Sequence, residues 1–167
     1  MAWQGGMEGG VAAAELLLGL DNPSGKLSDT FARRLEDYPS TAGFHESGNY
    51  VDYIEDIYVG YRYFETVPGG KEKVRYPFGF GLSYTSFSLD GVLAGESGGK
   101  ITAAVTVKNI GMRPGKEVVQ LYYSAPQGLL KKPARELAAF KKTKLLSPGE
   151  SETLALSFEL SDMASFD

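Results

Sequence analysis

The alternation of apolar and polar residues in the second half of the chain is the feature that most restricts its fold. Residues 101–107 and 153–160 place apolar side chains at every second position, and successive side chains of a strand point to opposite faces. Further strands are predicted for residues 87–93, 118–123 and 136–144. Turn signals separate them at Asn109-Ile110-Gly111, Pro114-Gly115 and Ser147-Pro148-Gly149. Short half-buried strands at this spacing predict a mainly β protein, an antiparallel β-sandwich.

The first segment predicts a helix that is apolar on nearly every side. Residues 11–20 contain one charged residue, Glu15, and Gly19 suits the left-handed residue that ends a helix. Asn22-Pro23-Ser24-Gly25 then predicts a turn. A helix that is apolar all round is usually buried within a layered protein. Residues 1–35 are therefore expected to be the last part of a domain whose remainder lies outside this chain.

The middle of the chain predicts a connection between two domains. Residues 36–56 show neither a helical nor a strand period, so a loop of about 20 residues is expected. A strand is predicted for residues 57–64, with Ile57, Val59, Tyr61 and Tyr63 on one face. In residues 76–84 glycines alternate with bulky residues, which predicts close approach of backbone segments. Residues 36–83 thus form a predicted interdomain linker with one strand.

Composition limits the possible functions. The chain has 167 residues, a net charge of −4 and an apolar fraction of 43%, which favours a folded protein and disfavours nucleic acid and anionic membrane surfaces as partners. Because it has no Cys and a single His, it holds no disulfide, and thiolate or His-based metal sites are not expected. No apolar stretch approaches the roughly 20 residues of a membrane span.

A series of motifs, in order along the chain, resembles family 3 glycoside hydrolases of the bacterial β-glucosidase type. The first two, Trp3-Gln4-Gly5-Gly6 to Gly10 and Leu20-Asp21-Asn22-Pro23-Ser24-Gly25-Lys26-Leu27, resemble the closing helix of that family's α/β sandwich domain. Residues 57–64 and 76–85 resemble the linker into its fibronectin type III-like domain. The strands and turns of that domain are matched by Glu117-Val118-Val119-Gln120-Leu121-Tyr122, Glu136-Leu137 with Phe140, and Leu146-Ser147-Pro148-Gly149-Glu150-Ser151.

The resemblance implies three regions. Residues 1–35 would be the end of an α/β sandwich domain, residues 36–83 the linker, and residues 84–167 an immunoglobulin-like fibronectin type III-like β-sandwich without its last two strands. In the family a Trp-containing stretch and two strands follow the segment that matches residues 162–167. The strand at 118–123 is therefore expected to have an unpaired edge, completed by strand exchange, a homo-oligomer or another polypeptide. A monodisperse monomer with cooperative melting would contradict this hypothesis.

The resemblance also implies an activity that this chain does not carry alone. Family members are retaining enzymes, with an Asp nucleophile from an N-terminal barrel and a Glu acid/base from the α/β sandwich domain. These carboxyl groups lie about 5–5.5 Å apart. Both family motifs precede the segment that matches Trp3-Gln4-Gly5-Gly6, and no residue here matches either. We therefore assign no catalytic, cofactor-binding or metal-binding residue and expect no hydrolysis by the isolated chain; substrate-binding residues remain unknown.

Several residues nevertheless invite a functional interpretation. Glu8 is expected to have a capping or structural role at the start of the first helix, with lining of a substrate cleft as the alternative. The loop acids are expected to be solvated, because no calcium-loop spacing is present; they are Glu36, Asp37, Glu46, Asp52, Glu55 and Asp56. A set of aromatic residues is expected to form an interdomain core with Arg62 stacked on it, with sugar stacking as the alternative; the set is Tyr58, Tyr61, Tyr63, Phe64, Phe78, Phe80 and Tyr84. His45 and the basic cluster are expected to be solvent-exposed; the cluster is Lys131, Lys132, Lys141, Lys142 and Lys144.

Three functional hypotheses follow. The chain is expected to be a non-catalytic C-terminal segment of a β-glucosidase-like enzyme, which stabilises catalytic domains that act on terminal β-D-glucosyl residues. The alternatives are a stand-alone carbohydrate-binding module and a protein-interaction β-sandwich. The expected partners are the catalytic domains and, through them, a β-glucoside or oligosaccharide. The lack of Cys and of a recognisable signal peptide favours the bacterial cytoplasm, although any signal of a longer protein would lie upstream.

Overall fold

A computed structural model describes residues 4–44 and 47–165. In its second half, strands β3 (Phe87–Ser97), β4 (Lys100–Asn109) and β7 (Ser151–Glu159) form one antiparallel sheet with β4 in the centre. Strands β5 (Val118–Tyr123) and β6 (Glu136–Lys142) form a second antiparallel sheet. All five predicted strands are present, and the predicted β-sandwich is confirmed.

The core lies between these two sheets. Val105 and Val107 of β4 and Leu154 and Leu156 of β7 cluster with Val119 of β5, and Leu146 closes the cluster from the loop before β7. In β4 and β7 buried residues alternate with exposed ones, as the period of two predicts. Burial of large aliphatic side chains stabilises such a domain by about 1.5–3 kcal/mol for each of them.

Strand β3 is longer than predicted. The prediction ended it at residue 93, yet the strand continues to Ser97. Gly91 has φ 64°, and the register with β4 shifts between Asp90 and Leu93, so a bulge absorbs the glycine. The hairpin to β4 turns at Gly98 and Gly99, whose φ angles of 61° and 81° suit the tight turn that a two-residue hairpin requires.

The first half contains one longer helix, α1 (Gly9–Leu18). It ends at Gly19, which has φ 70°, so the predicted left-handed end is confirmed. The chain then runs extended, and residues 25–27 lie against residues 79–81 through hydrogen bonds between Leu27 and Phe80 (2.8 Å) and between Gly79 and Leu27 (2.8 Å). Strand β1 (Phe31–Ala32) pairs with β2 (Val74–Tyr76).

The strand predicted for residues 57–64 is wrong. Val59 precedes Gly60, whose φ of 56° interrupts the extended backbone, and helix α2 (Tyr61–Thr66) follows. The aromatic pattern allowed both structures, because Tyr61, Phe64 and Glu65 are also spaced as neighbours on one helical face. Phe64 is buried on the side of Tyr38, with ring centroids 5.8 Å apart. The predicted loop of residues 36–56 contains two short 3-10 turns, Leu35–Asp37 and Pro39–Ala42.

Replacing Leu154 tests the assignment of the hydrophobic core between the two sheets. Leu154 is 1% exposed, so Leu154→Ala should lower the free energy of unfolding by about 3 kcal/mol, through lost burial and a residual cavity. The matched control is Leu93→Ala, since Leu93 is 74% exposed on β3 and its truncation should cost less than about 1 kcal/mol. Urea unfolding followed by circular dichroism measures both values. Equal losses would contradict the core position of Leu154.

Candidate functional site

Tyr61 forms the centre of a joint between helix α2 and the β5–β6 sheet. Its ring lies 4.7 Å from that of Phe78 and 5.9 Å, edge-on, from that of Tyr122 (centroid distances). Its hydroxyl accepts a hydrogen bond from the backbone N–H of Leu137 at 2.8 Å. Aromatic pairs at these distances and angles are favourable beyond their area burial. The joint therefore fixes helix α2 on the sandwich, and Tyr61 and Phe78 of the predicted aromatic set pack together here.

Charged groups surround this joint. Arg135 forms a close ion pair with Glu65, and its guanidinium carbon lies 5.6 Å from the centroid of the Tyr122 ring. The hydrogen bond to Glu65 raises the pKa of Arg135, and burial raises the pKa of the Tyr122 hydroxyl. The predicted stacking of Arg62 is wrong, because Arg62 instead approaches the carboxylate of Glu136 at 3.9 Å. Arg135 stacks on the Tyr122 ring instead, a contact that depends on the pairing of β5 with β6 and is not visible in the sequence.

Tyr123 joins the two sheets of the sandwich at the same end. Its hydroxyl donates a hydrogen bond to Oε2 of Glu136 at 2.7 Å, and its ring stacks on Phe158 at 5.7 Å. Burial, together with the hydrogen bond and the negative charge of Glu136, raises the pKa of Tyr123 to about 12. The folded structure thus favours the neutral form of the Tyr123 side chain, whose hydroxyl donates the hydrogen bond to Glu136.

Asn22 forms a second connection, between the end of α1 and the sandwich. Its Oδ1 accepts hydrogen bonds from the backbone N–H of Tyr84 (2.9 Å) and from Ser83 Oγ (3.1 Å), and its Nδ2 donates to the carbonyl of Pro114 (3.0 Å). The Tyr84 hydroxyl donates to the carbonyl of Leu16 at 2.7 Å. Sequence reasoning interpreted Asn22 as a turn residue only, since nothing local shows that its side chain meets residues 61 to 92 positions away.

Asn109 organises the adjacent loops from a fully buried position. Its Nδ2 donates to the carbonyls of Arg113 and Leu146, both at 2.8 Å, and its Oδ1 accepts from Thr85 Oγ1 (2.7 Å) and from the N–H of Gly111 (3.0 Å). Every hydrogen-bonding group of this amide is therefore satisfied, as burial requires. The sequence placed Asn109 in a turn, whereas it is the last residue of β4, and its bridging role was missed.

Helix α1 presents an open apolar face. No residue of α1 is buried, and Leu17 is 85% exposed. Leu16 and Ala12 border a groove of about 650 Å³ that continues along Pro23 to Leu82. Contiguous exposed apolar surface of this kind marks an interaction site. The helix predicted to be buried is thus uncovered among the described residues.

The other candidate residues have structural or solvated positions. Glu8 occupies the N-cap position directly before α1, as expected, but its side chain makes no capping hydrogen bond. Asp37 accepts from the N–H of Arg34 at 3.1 Å. The remaining described loop acids are exposed, apart from the half-buried Glu55, and Asp56 has φ 52°. His45 and Glu46, like Trp3 of the first motif, lie outside the described residues.

The rest of the aromatic set and the basic cluster follow the expectations in most respects. Tyr63 packs edge-on against Phe64 at 5.2 Å, Phe80 lies 5.2 Å from Tyr76, Tyr84 faces Arg113, and Tyr58 is half-buried. Three lysines of the basic cluster are exposed and have no partner among the described residues: Lys131, Lys141 and Lys142. Lys132 is half-buried, with its Nζ 3.4 Å from the carbonyl oxygen of Met163. Lys144 forms an ion pair with Glu150 at 2.7 Å.

Residues 4–44 and 47–165 contain neither a metal-binding cluster nor a membrane-spanning helix. These residues contain no group of three or more His, Cys, Asp or Glu side chains arranged to hold a metal ion. Their helices are all too short or too polar to cross a membrane.

The raised pKa of Tyr123 predicts a pH dependence. The pKa is about 12 in the folded state and near 10 in the unfolded chain, so this contribution to stability is complete below pH 10 and is lost as the pH rises towards 12. Titration of tyrosinate absorbance should therefore show a high-pH component that Tyr123→Phe removes. Tyr53→Phe, which changes an exposed ring, is the control and should retain that component. A wild-type curve unaltered by Tyr123→Phe would contradict the buried hydrogen bond.

Comparisons with known proteins agree with this architecture. Residues 1–84 match the model of the glycosyl hydrolase family 3 C-terminal domain, and residues 117–167 match the fibronectin type III-like domain. Beta-glucosidase A of Butyrivibrio fibrisolvens is 63% identical over 182 residues, and a beta-glucosidase of Ruminococcus albus is 50% identical over 166 residues. The matches cover 100% and 99% of this chain but 22% and 17% of those proteins, so the chain spans about a fifth of their length.

Solved structures give the same result. Beta-glucosidase 3B from Thermotoga neapolitana, in complex with glucose, superposes on the whole chain with a TM-score of 0.93 and 44% identity, over 23% of its own length. A beta-glucosidase from Paenibacillus barengoltzii superposes on 99% of the chain with a TM-score of 0.91 and 56% identity, over 18% of its length. The chain belongs to glycosyl hydrolase family 3 and corresponds to the C-terminal part of that family's β-glucosidases.

Proposed function

We propose that this chain is the non-catalytic C-terminal part of a retaining β-glucosidase and stabilises the catalytic domains of that enzyme by docking against them. The reaction of the whole enzyme would be hydrolysis of terminal β-D-glucosyl residues, the activity that the names of the similar proteins describe. The observation that carries the proposal is the exposed apolar face of α1, which belongs to the region that matches the family's C-terminal domain.

The energetics of α1 favour docking. Its apolar residues extend around the helix, so one packed side would still leave others in water; Val11, Leu17 and Leu18 are all exposed. Covering a large aliphatic side chain contributes about 1.5–3 kcal/mol. A short isolated helix gains most of its stability from such packing. The rest of the family's C-terminal domain would supply this cover, and the groove beside Leu16 would be filled at the same time.

The two joints support a scaffold role. Tyr61 and Asn22 connect the first half of the chain to the sandwich through side chains with defined partners. Docking of α1 on the catalytic domains would therefore also hold the β-sandwich in place. No residue of the chain matches either catalytic motif of the family, which agrees with a role in support rather than in chemistry.

We further propose the division into residues 1–35, 36–83 and 84–167. The family match to the fibronectin type III-like domain begins at residue 117, yet Val105 and Val107 of β4 share one core with Val119 of β5. This shared core supports an earlier boundary, near residue 84. Among the described residues β5 pairs only with β6, so its outer edge is open to a further strand, from the same polypeptide or from a partner.

Complementation tests the proposed function. The segment that matches this chain would be removed from the Butyrivibrio relative, and the two polypeptides would be mixed and assayed with an aryl β-glucoside. Mixing should restore hydrolysis that neither polypeptide shows alone. Leu17→Gln should weaken the association roughly 10- to 100-fold, because it places a polar group in the docked face while retaining helix propensity. The control, Leu129→Gln, changes a fully exposed leucine in a loop far along the chain and should leave complementation unchanged.

The outcomes separate the hypotheses. Failure of the mixture to regain activity, with both polypeptides folded, would contradict the docking role. Equal effects of the two substitutions would contradict the assignment of the α1 face. Saturable binding of cello-oligosaccharides by the chain alone would instead favour the carbohydrate-binding module. In that case the exposed rings of Tyr50 and Tyr53 would be the first residues to replace.

A further inference from the structure

Phe140 is an aromatic residue on the outer face of the β5–β6 sheet that helix α2 leaves uncovered. On the inner face of this sheet Val119 belongs to the core, and Leu121 and Ala139 pack against it. Side chains of a strand alternate between its two faces, so Phe140, which pairs with Gln120, lies on the outer face. Its ring is 69% exposed. The core of the sandwich therefore does not use this ring.

The surface beside Phe140 already carries contacts within the chain. Gln120 lies directly across from Phe140 on β5, and its side-chain amide contacts the backbone of Gly79, where a Cβ atom would collide with it. The next residue, Phe80, lines the groove of α1. Lys26 also lines that groove, and its ammonium group reaches the carboxylate just before β5. The groove of α1 and the outer face of the β5–β6 sheet are thus adjacent.

Unpaired positive charges border the Phe140 ring. Lys141 and Lys142 follow it on β6, and Lys116 lies two residues before β5, whose first residue, Val118, pairs with Lys142. All three lysines are exposed, and none forms an ion pair within residues 4–44 and 47–165. An exposed aromatic ring among charges of one sign is suited to anchor an interface, and its complement is an apolar recess bordered by carboxylates.

We propose that Phe140 and its three lysines dock in such a recess on the catalytic domains of the same enzyme. This inference rests on the proposed function. The matched segment is 22% and 17% of the length of the two β-glucosidases compared above, so about four-fifths of each lies outside it. A body that covers α1 and its groove would extend to the adjacent sheet face. The chain would then be held at two places, on α1 and on the sandwich.

A hybrid enzyme tests the proposal. This chain would replace the segment that matches it in the Butyrivibrio relative, to which it is 63% identical. In hydroxyl-radical footprinting with mass spectrometry, Phe140 should react at least about five-fold more slowly in the hybrid than in the isolated chain, because a docked anchor is desolvated. The control is Leu129, which is fully exposed and should react equally in both. Equal reactivity of Phe140 in both proteins would overturn the proposal.

The same measurement distinguishes the proposal from its neighbours. Protection of Leu17 in the hybrid without protection of Phe140 would leave the docking of α1 in place and overturn the second contact. Protection of Phe140 alone would support the sheet face and contradict the assignment of α1. Protection of neither would overturn both. Protection of Phe140 in the isolated chain as its concentration rises would make a second copy the partner and would also overturn the proposal.

Replacing the ring measures what the contact contributes. Phe140→Gln should speed the inactivation of the hybrid in urea about ten-fold, because an anchor at the centre of an interface is lost. It should leave the unfolding midpoint of the isolated chain unchanged, since the ring is exposed there. A similar loss of stability in both proteins would show that the ring belongs to the fold of the sandwich and would contradict the contact.

Replacing the lysines tests the charge complementarity. A triple variant should also speed inactivation of the hybrid and reduce the salt dependence of that rate, because screening acts on the same charges. The changes are Lys116→Gln, Lys141→Gln and Lys142→Gln. A matched control makes the same change in net charge at three other exposed lysines: Lys73→Gln, Lys108→Gln and Lys131→Gln. Equal effects of the two triple variants would overturn the assignment of a carboxylate-bordered recess.

Discussion

The packing of β4 and β7 against β5 is the interaction on which the rest of the structure depends. Among the described residues no strand of one sheet pairs with a strand of the other, so the burial of six clustered aliphatic side chains, together with the stacking of Tyr123 on Phe158, holds the two sheets together. Asn109, at the end of β4, then closes the rim of this core, because its amide joins the loops before β3, after β4 and before β7. Without that packing the outer surface of β5, on which the joint rests, would have no fixed position.

The joint around Tyr61 positions the first half of the chain on the sandwich. Tyr61 is bonded to β6 through Leu137 and packs on Tyr122 of β5, so helix α2 is positioned by the sandwich rather than by its own six residues. Helix α1 is tied on through Asn22 and Tyr84. Both attachments use polar atoms at the end of an aromatic or amide side chain, which sets direction as well as distance. The apolar face of α1 is consequently presented outward at a fixed orientation.

Local pattern predicted some of these features and not others. The strands of the sandwich were predictable because the two-residue period of a strand is a property of its own backbone, and the end of α1 was predictable because Gly19 tolerates a left-handed conformation. Residues 57–64 were wrongly predicted to form a strand, because their aromatic spacing fits both a strand and one face of a helix. In the folded chain the positive φ of Gly60 ends the extended backbone, and a helix follows. The stacking of Arg135 rather than Arg62, and the missing side-chain cap at Glu8, depend in the same way on neighbours distant in sequence.

The sequence by itself determined the mainly β class, the positions of the five sandwich strands and, through ordered motifs, the resemblance to family 3 glycoside hydrolases. These follow from backbone geometry and from residue order, which the chain carries without folding. Only the tertiary structure decided which side chains meet, such as Tyr61 with Tyr122 and Asn22 with Ser83. The physical reason is that such contacts join residues tens of positions apart, and their geometry exists only after the two sheets have packed.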